Sequence, residues 1–153
     1  MDRRSSPVEA RVGYALKRAQ AALRATMDET LRPLGLTVAQ YSCLQLIGER
    51  PGISSAELAR GMFVSRQSMN LVLRGLQERG LVERPSTAPQ ARSLPARLTP
   101  AGRRLAKRAD ELVAGIEAQM VATLPPAQQS QLLAGLTACA EALGRQTDDD
   151  DAR

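Results

Sequence analysis

Two helix starts lie close together in the middle of this chain, and they constrain its fold more than any other feature. Ser54-Ser55-Ala56-Glu57 fits a capping box, in which a Ser hydroxyl and a Glu carboxylate each accept a hydrogen bond from a backbone amide at the start of a helix. The next N-cap candidate is Ser65, and its helix is expected to run to about Arg79 and stop at Gly80. The inward-facing residues of that helix are predicted to be Met69, Val72, Leu73 and Leu76. Only a tight turn fits between the two helices, so the sequence predicts a helix-turn-helix.

Two amphipathic helices precede this unit. Apolar residues recur at steps of three and four over residues 8–31, which predicts one long helix ending near Pro33. Thr37 and Gln40 fit a second capping box, and the helix that they open ends before Pro51. The helix-turn-helix is therefore expected to be the second half of a small helical cluster.

A two-stranded hairpin is predicted after Gly80. Residues 81–84 pass from apolar to polar side chains, a turn-rich stretch follows, and the chain returns over residues 94–98. Because Pro95 has no amide donor, we expect the returning strand to lie at the edge of the sheet. Such a hairpin would form the wing of a winged helix-turn-helix.

The rest of the chain predicts two more helices and a tail. Thr99 and Pro100 supply an N-cap and a first-turn proline for the first of them, and Pro125-Pro126 ends it. Its inward-facing residues are expected to be Leu105, Leu112, Ile116 and Met120. The last helix spans about 127–143, with Leu132, Leu136, Leu143 and either Cys139 or Ala140 in register. Residues 145–153, which include four consecutive Asp, predict a disordered acidic tail.

The fold class that follows is mainly α with a small β-hairpin wing, a winged helix-turn-helix with a helical dimerisation region. Hydrophobic residues make up 43% of the chain but aromatic residues only 2%, a composition that suits helix packing. A compact winged domain does not need both terminal helical stripes for its own core, so we expect a homodimer. The predicted limits are 1–35 and 99–144 for the dimerisation region, 36–98 for the winged helix-turn-helix domain and 145–153 for the tail.

Positive charge is concentrated around the predicted wing and helix-turn-helix. Residues 54–108 carry eleven basic and three acidic residues, while the whole chain has a net charge of +5. A basic stretch of this kind is either an ordinary solvated surface or a surface for a polyanion such as DNA. Its position on the motif decides between the two.

The predicted recognition helix has the residue types that read DNA. With its apolar residues facing inward, Arg66, Gln67, Asn70 and Arg74 fall on the outward side, and Ser68 lies nearby. Arg pairs with guanine, Gln and Asn pair with adenine, and a helix N-terminus favours a phosphate. Arg92 at the wing tip would enter the minor groove, or would be an exposed loop arginine. The predicted DNA-binding residues are Ser65, Arg66, Gln67, Ser68, Asn70, Arg74 and Arg92.

Other function classes are disfavoured by the sequence. The chain has no His, which removes the commonest metal ligand and the commonest general base, so we expect no metal site, no cofactor and no enzyme activity. Cys43 and Cys139 are expected to be buried small hydrophobic residues. No stretch is apolar enough for a membrane span or a signal peptide, and a cytoplasmic location is expected.

Four short segments, in their order and spacing, resemble the MarR family of bacterial transcription regulators, and the similarity covers about residues 8–143. The segments are Leu36-Thr37-Val38-Ala39-Gln40-Tyr41, Ser65-Arg66-Gln67-Ser68, Gly80-Leu81-Val82-Glu83-Arg84 and Leu98-Thr99-Pro100-Ala101-Gly102. The resemblance implies an obligate, triangular homodimer in which the first, fifth and sixth helices interleave. It also implies a small, often phenolic or otherwise lipophilic effector that changes the spacing of the two recognition helices.

The wing departs from the family pattern at two positions. Family members usually carry Asp two residues before the tip arginine, whereas this chain has Gln90, which cannot form an ion pair with Arg92. Pro95 in the returning strand is also unusual. Both departures bear on the order of the wing and on what Arg92 contributes to affinity.

Together, the residues and the resemblance predict a sequence-specific transcriptional regulator, a repressor, that binds a palindromic operator as a homodimer and is released by a small effector. The effector-binding residues are not indicated. Two alternatives remain open, a non-specific or architectural DNA-binding protein and a redox-responsive regulator based on Cys43. Zinc-sensing relatives are disfavoured because His is absent, and peroxide-sensing relatives because the first helix has no Cys.

Overall fold

The computed structural model describes residues 7–84 and 95–150 and has the predicted architecture, mainly helical with a small antiparallel sheet. Short 3-10 turns lie at Val8–Ala10 and Arg32–Leu34. The helices and strands are α1 (Val12–Leu31), α2 (Val38–Glu49), α3 (Ser55–Gly61), α4 (Arg66–Glu78), β1 (Val82–Glu83), β2 (Arg97–Leu98), α5 (Pro100–Val121) and α6 (Pro126–Asp150).

The helix starts that the sequence predicts are present. The side chains of Thr37 and Ser54 each accept a hydrogen bond from the backbone amide three residues ahead. In return, the side chains of Gln40 and Glu57 accept a hydrogen bond from the backbone amide of the cap residue. These reciprocal bonds satisfy amides that a helix start leaves without a partner. They fix where α2 and α3 begin, and thereby where the helix-turn-helix lies in the chain.

One hydrophobic cluster holds α2, α3 and α4 together, with contributions from the end of α1 and from the sheet. Its largest fully buried side chains are Leu31, Leu44, Ile47, Leu58, Met69, Leu73 and Leu76. Burying each aliphatic side chain of this size stabilises the fold by roughly 1.5–3 kcal/mol. The cluster therefore fixes the orientation of α4 against the rest of the domain.

The sheet corrects one prediction. β1 and β2 pair antiparallel, with Val82 opposite Leu98 and Glu83 opposite Arg97. On its other side the returning strand forms a bridge to Ile53, where the Ala96 amide donates to the Ile53 carbonyl at 3.0 Å. The returning strand thus lies between two partners, and the expectation that it is an edge was wrong. Pro95 lies just before the bridge, where its missing donor disrupts neither of these pairs.

α5 begins at Pro100 as predicted, but its buried stripe differs from the expected one. The buried positions are Gly102, Ala106, Ala109, Val113 and Ile116. Leu105 is half-buried, whereas Leu112 is 40% exposed and Met120 is 50% exposed. Small residues face the core because α5 approaches its neighbours closely, as Gly102 shows below.

The chain divides into two compact units, one ending at Ile116 and one starting at Glu117. In the second unit, the Gln129 side-chain amide donates to the carbonyl of Leu124 at 2.9 Å and to that of Val121 at 3.2 Å, which satisfies acceptors between α5 and α6.

Two predictions about α6 were wrong. The helix continues to Asp150, beyond its expected end near residue 143 and into the segment expected to be disordered. Gly144 alone costs a helix only about 1 kcal/mol, and no proline follows it. Cys139 is exposed, not buried, and Leu132, Leu136 and Leu143 of the same stripe are exposed as well.

Candidate nucleic-acid interface

The start of α4 is organised by two serines. Ser65 has an extended backbone, and its hydroxyl oxygen accepts from the Ser68 amide at 3.1 Å. The Ser65 hydroxyl in turn donates to the Ser68 hydroxyl oxygen at 3.0 Å. Ser65 therefore caps the helix as predicted, and both side chains lie at its exposed first turn, where the partial positive charge of a helix is greatest.

The two sides of α4 have opposite character. Met69, Leu73 and Leu76 are completely buried against the core. The six side chains predicted for DNA recognition on this helix are all exposed, namely Ser65, Arg66, Gln67, Ser68, Asn70 and Arg74. The structure thus brings these residues together on one surface of a helix that is firmly packed on its other side. Their contact with DNA stays a prediction.

The turn between α3 and α4 contains a residue that the sequence analysis missed. Phe63 has a φ of +56°, a left-handed conformation that non-glycine residues rarely adopt. The Val64 amide closes the turn on the Ala59 carbonyl at 3.0 Å. The Phe63 side chain is 95% exposed, and it lies two residues before the cap of α4. Glycine is the usual residue at such positions, so no local pattern indicated this conformation.

Leu71 was also missed, although it lies on α4 itself. Its side chain is 62% exposed among the polar residues of the outward surface. The helical spacing could have found it, because Leu71 is four residues after Gln67 and three before Arg74.

The far end of α4 is tied to the segment after α1. Gly80 has a φ of +69° and ends the helix as predicted. The Arg79 guanidinium donates to the Gly35 carbonyl at 2.6 Å and to the Leu34 carbonyl at 3.4 Å. These bonds satisfy two carbonyls of the α1–α2 connection and hold the end of the recognition helix against it.

The start of α5 is packed against the chain just after α4. The Thr99 hydroxyl caps α5 and also binds the Gly80 carbonyl. The Gly102 position leaves no room for a Cβ, because the carbonyl oxygen of Leu81 occupies that space. Higher up α5, the Tyr41 hydroxyl donates to Asp110 at 3.1 Å, and the Gln45 side chain donates to the Ala106 carbonyl at 3.1 Å. α2, α4 and α5 are therefore held in one rigid arrangement.

The surroundings of Glu57 and Cys43 shift the pKa values of these two side chains. Hydrogen bonds from the Ser54 backbone and side chain lower the pKa of Glu57, which keeps the α3 capping box charged. Burial raises the pKa of Cys43 from 9.0 to about 12, so its thiol stays protonated at neutral pH. A thiolate is the reactive form of cysteine, so this environment argues against a redox role for Cys43. The prediction that Cys43 is a buried small residue is confirmed.

The predicted wing residues Gln90 and Arg92 lie outside the described residues. Within residues 7–84 and 95–150, no helix is long and apolar enough to cross a membrane. The same part of the chain contains no group of three His, Cys, Asp or Glu side chains that could hold a metal ion.

The chain is similar to known proteins in both sequence and fold. A family model described as MarR family matches residues 34–93. The HTH-type transcriptional repressor Rv2887 of Mycobacterium tuberculosis is 46% identical over 123 residues, which cover 80% of this chain and 88% of the relative.

Two crystal structures of Rv2887 match this fold. The complex with DNA has a TM-score of 0.72 and 43% identity, and the match covers 85% of this chain and 98% of that chain. The complex with salicylic acid has a TM-score of 0.69 and 44% identity, and the match covers 86% of this chain and 98% of that chain. The resemblance predicted from the four sequence segments is thereby confirmed, and this chain belongs to the MarR family.

Proposed function

We propose that this protein is a transcriptional repressor that binds duplex DNA as a homodimer and reads its operator with α4. One observation carries the proposal: a helix anchored by Met69, Leu73 and Leu76 presents an exposed surface of Arg, Gln, Asn and Ser side chains. These are the side chains that pair with base edges and phosphates in the major groove. The DNA complex of Rv2887, which is 43% identical, supports the same use of the fold.

Individual residues of α4 are expected to have different roles. Gln67, near the start of the helix, would pair with a base edge, and Gln67→Ala should relax the preference at one position of the operator. Arg74, farther along, would contact a phosphate, so Arg74→Ala should weaken binding to all sequences and reduce its salt dependence. Equal effects of both variants on specificity would contradict this division.

The dimer is supported by apolar side chains that one chain leaves uncovered. α1 exposes Val12 and Leu16, and α6 exposes Leu132, Leu133 and Leu136. A second copy would cover these surfaces, which fits the proposed limits of 1–35 and 99–144 for the dimerisation region and 36–98 for DNA binding. A two-fold dimer reads an inverted repeat with half-sites separated by one helical turn, about 10 base pairs.

A small phenolic or lipophilic effector is proposed to release the dimer from its operator. The support is that Rv2887 has been solved with salicylic acid. We assign no effector-binding residues. The relative is named a transcriptional repressor, and a bacterial repressor acts where the chromosome lies. We therefore propose a cytoplasmic protein without enzyme activity.

Selection of bound sequences from random duplex tests the proposal directly. The purified dimer should enrich an inverted repeat, bind it far more tightly than a scrambled duplex, and protect both half-sites. Addition of salicylate or related phenolic acids should weaken the specific complex. Equal affinity for the selected and scrambled duplexes would favour the architectural alternative, because phosphate contacts dominate non-specific binding.

Arg92 is the remaining proposed contact. We propose that it enters the minor groove beside the half-site, supported by its position in the sequence between the two paired strands and by the charge of its side chain. Arg92→Ala should then lower affinity most for operators with A·T-rich flanks, where the minor groove is narrow. No change on such operators would remove Arg92 from the interface.

A further inference from the structure

Leu71 is a large apolar side chain in the middle of the surface proposed to enter the major groove. It is 62% exposed, while the buried residues of α4 on either side of it in sequence, Met69 and Leu73, are completely covered. Its exposure therefore does not come from a loosely packed helix. The side chain points away from a well-formed core.

The helical spacing places Leu71 between two polar residues. Gln67 is one turn before it and Arg74 nearly one turn after it, and both are exposed. A rotation of 100° per residue puts these three side chains on the side of α4 opposite Met69, Leu73 and Leu76. Along the helix axis Leu71 lies between Gln67 and Arg74, so it would face the same surface of a bound duplex as they do.

The major groove offers one apolar group to such a side chain. Its floor consists of hydrogen-bond donors and acceptors, except for the C5-methyl group of thymine. A leucine over guanine, cytosine or adenine would remove water from polar atoms without giving them a partner, which is unfavourable. Over thymine it buries a methyl group and part of its own surface, which is favourable.

We infer that Leu71 is a specificity-determining residue that reads the C5-methyl group of a thymine in each operator half-site. The inference rests on the proposed DNA-binding function and adds a contact for which hydrogen-bonding residues cannot account. It predicts a thymine between the bases contacted by Gln67 and those near Arg74.

Uracil tests this contact because it is thymine without the methyl group. Operators obtained by selection are synthesised with each half-site thymine replaced in turn by deoxyuridine, and the affinities of wild type, Leu71→Ala and Leu71→Met are compared. For wild type, one replacement should weaken binding about fourfold per half-site, the effect of one buried methyl group. Leu71→Met, which keeps an apolar side chain of similar reach, should retain most of this discrimination.

Leu71→Ala should bind the thymine and uracil operators equally and with the affinity of wild type for the uracil operator. Deoxyuridine outside the protected region is the DNA control, and an unchanged circular dichroism spectrum shows that the variant is folded. If wild type selects an operator but every thymine can be replaced without effect, or if Leu71→Ala keeps the discrimination, the inference fails while the proposed function stands. If wild type selects no sequence at all, both fail.

Discussion

The hydroxyl of Thr99 donates a hydrogen bond of 2.6 Å to the carbonyl oxygen of Gly80. The Thr99 hydroxyl oxygen also accepts from the Gly102 amide at 3.0 Å, so one side chain joins the end of the recognition helix to the start of α5. Thr99→Val loses both bonds and should lower the free energy of unfolding by about 1–2 kcal/mol. Denaturant unfolding at one fixed protein concentration measures this. Thr99→Ser keeps the hydroxyl. If it lowered the free energy of unfolding as much as Thr99→Val, the stabilisation could not be assigned to these two hydrogen bonds.

Gly102 should not tolerate a side chain. An alanine Cβ would overlap the Leu81 carbonyl oxygen, a backbone atom that moves only if the chain after α4 moves. We expect Gly102→Ala to destabilise the fold by about 1–3 kcal/mol. The matched control is Gly115→Ala in the same helix, where no atom lies within 4 Å of the added Cβ. This control should gain about 0.5–1 kcal/mol from its better helix propensity, and a similar loss in both variants would exclude the steric explanation.

Stability should fall at alkaline pH because of Cys43. Its folded-state pKa of about 12 lies above the unfolded value of 9.0, so the buried thiol keeps its proton while the unfolded chain loses it. The contribution is complete below pH 9 and is lost as the pH rises towards 12. At about pH 10.5 the loss of unfolding free energy should amount to roughly 2 kcal/mol.

The measurement is the difference between wild type and Cys43→Ala in unfolding free energy at about pH 8 and pH 10.5, because the other titrating groups cancel in this difference. Wild type should lose more stability than the variant. Cys139→Ala, which removes an exposed thiol, should behave like wild type. Parallel pH profiles for wild type and Cys43→Ala would show that burial does not shift this thiol.

Phe63 should be replaceable by glycine with a gain in stability. A left-handed backbone at φ +56° costs a non-glycine residue about 1 kcal/mol, and the exposed ring makes no compensating core contact. Phe63→Gly should therefore raise the free energy of unfolding by about 0.5–1 kcal/mol, since the greater freedom of glycine when unfolded offsets part of the gain. Phe63→Ala keeps the backbone strain and should give no such gain. Equal gains in both variants would attribute the effect to the ring instead.

The features that the sequence predicted well are those decided by neighbours in the chain. Thr37, Ser54 and Ser65 cap helices through bonds that reach only three residues ahead, so their residue types suffice to place α2, α3 and α4. The exposed surface of α4 followed equally from its period and from the strong apolar character of Met69, Leu73 and Leu76. Nothing distant competes with these local preferences.

The errors in the sheet and on α5 concern partners that are far away in sequence. Ile53 pairs with Ala96 on the free side of the returning strand, and no local pattern around Pro95 indicates that partner. On α5, Ala106 and Ala109 face the core because the neighbouring chain comes close, whereas periodicity alone favoured the larger Leu112. Leu71 was overlooked because a single exposed leucine ordinarily needs no explanation. The role proposed for Leu71 depends on the exposed polar residues around it.

The bonds from Arg79 to the carbonyls of Gly35 and Leu34 couple two parts of the chain that have different tasks. α1 ends just before this connection, and the Arg79 guanidinium at the end of α4 binds it through two charge-assisted hydrogen bonds. The end of α4 is consequently held against the connection after α1 as well as against its own core. Residues that lie outside the helix-turn-helix therefore help to set the orientation of the helix that is proposed to read DNA.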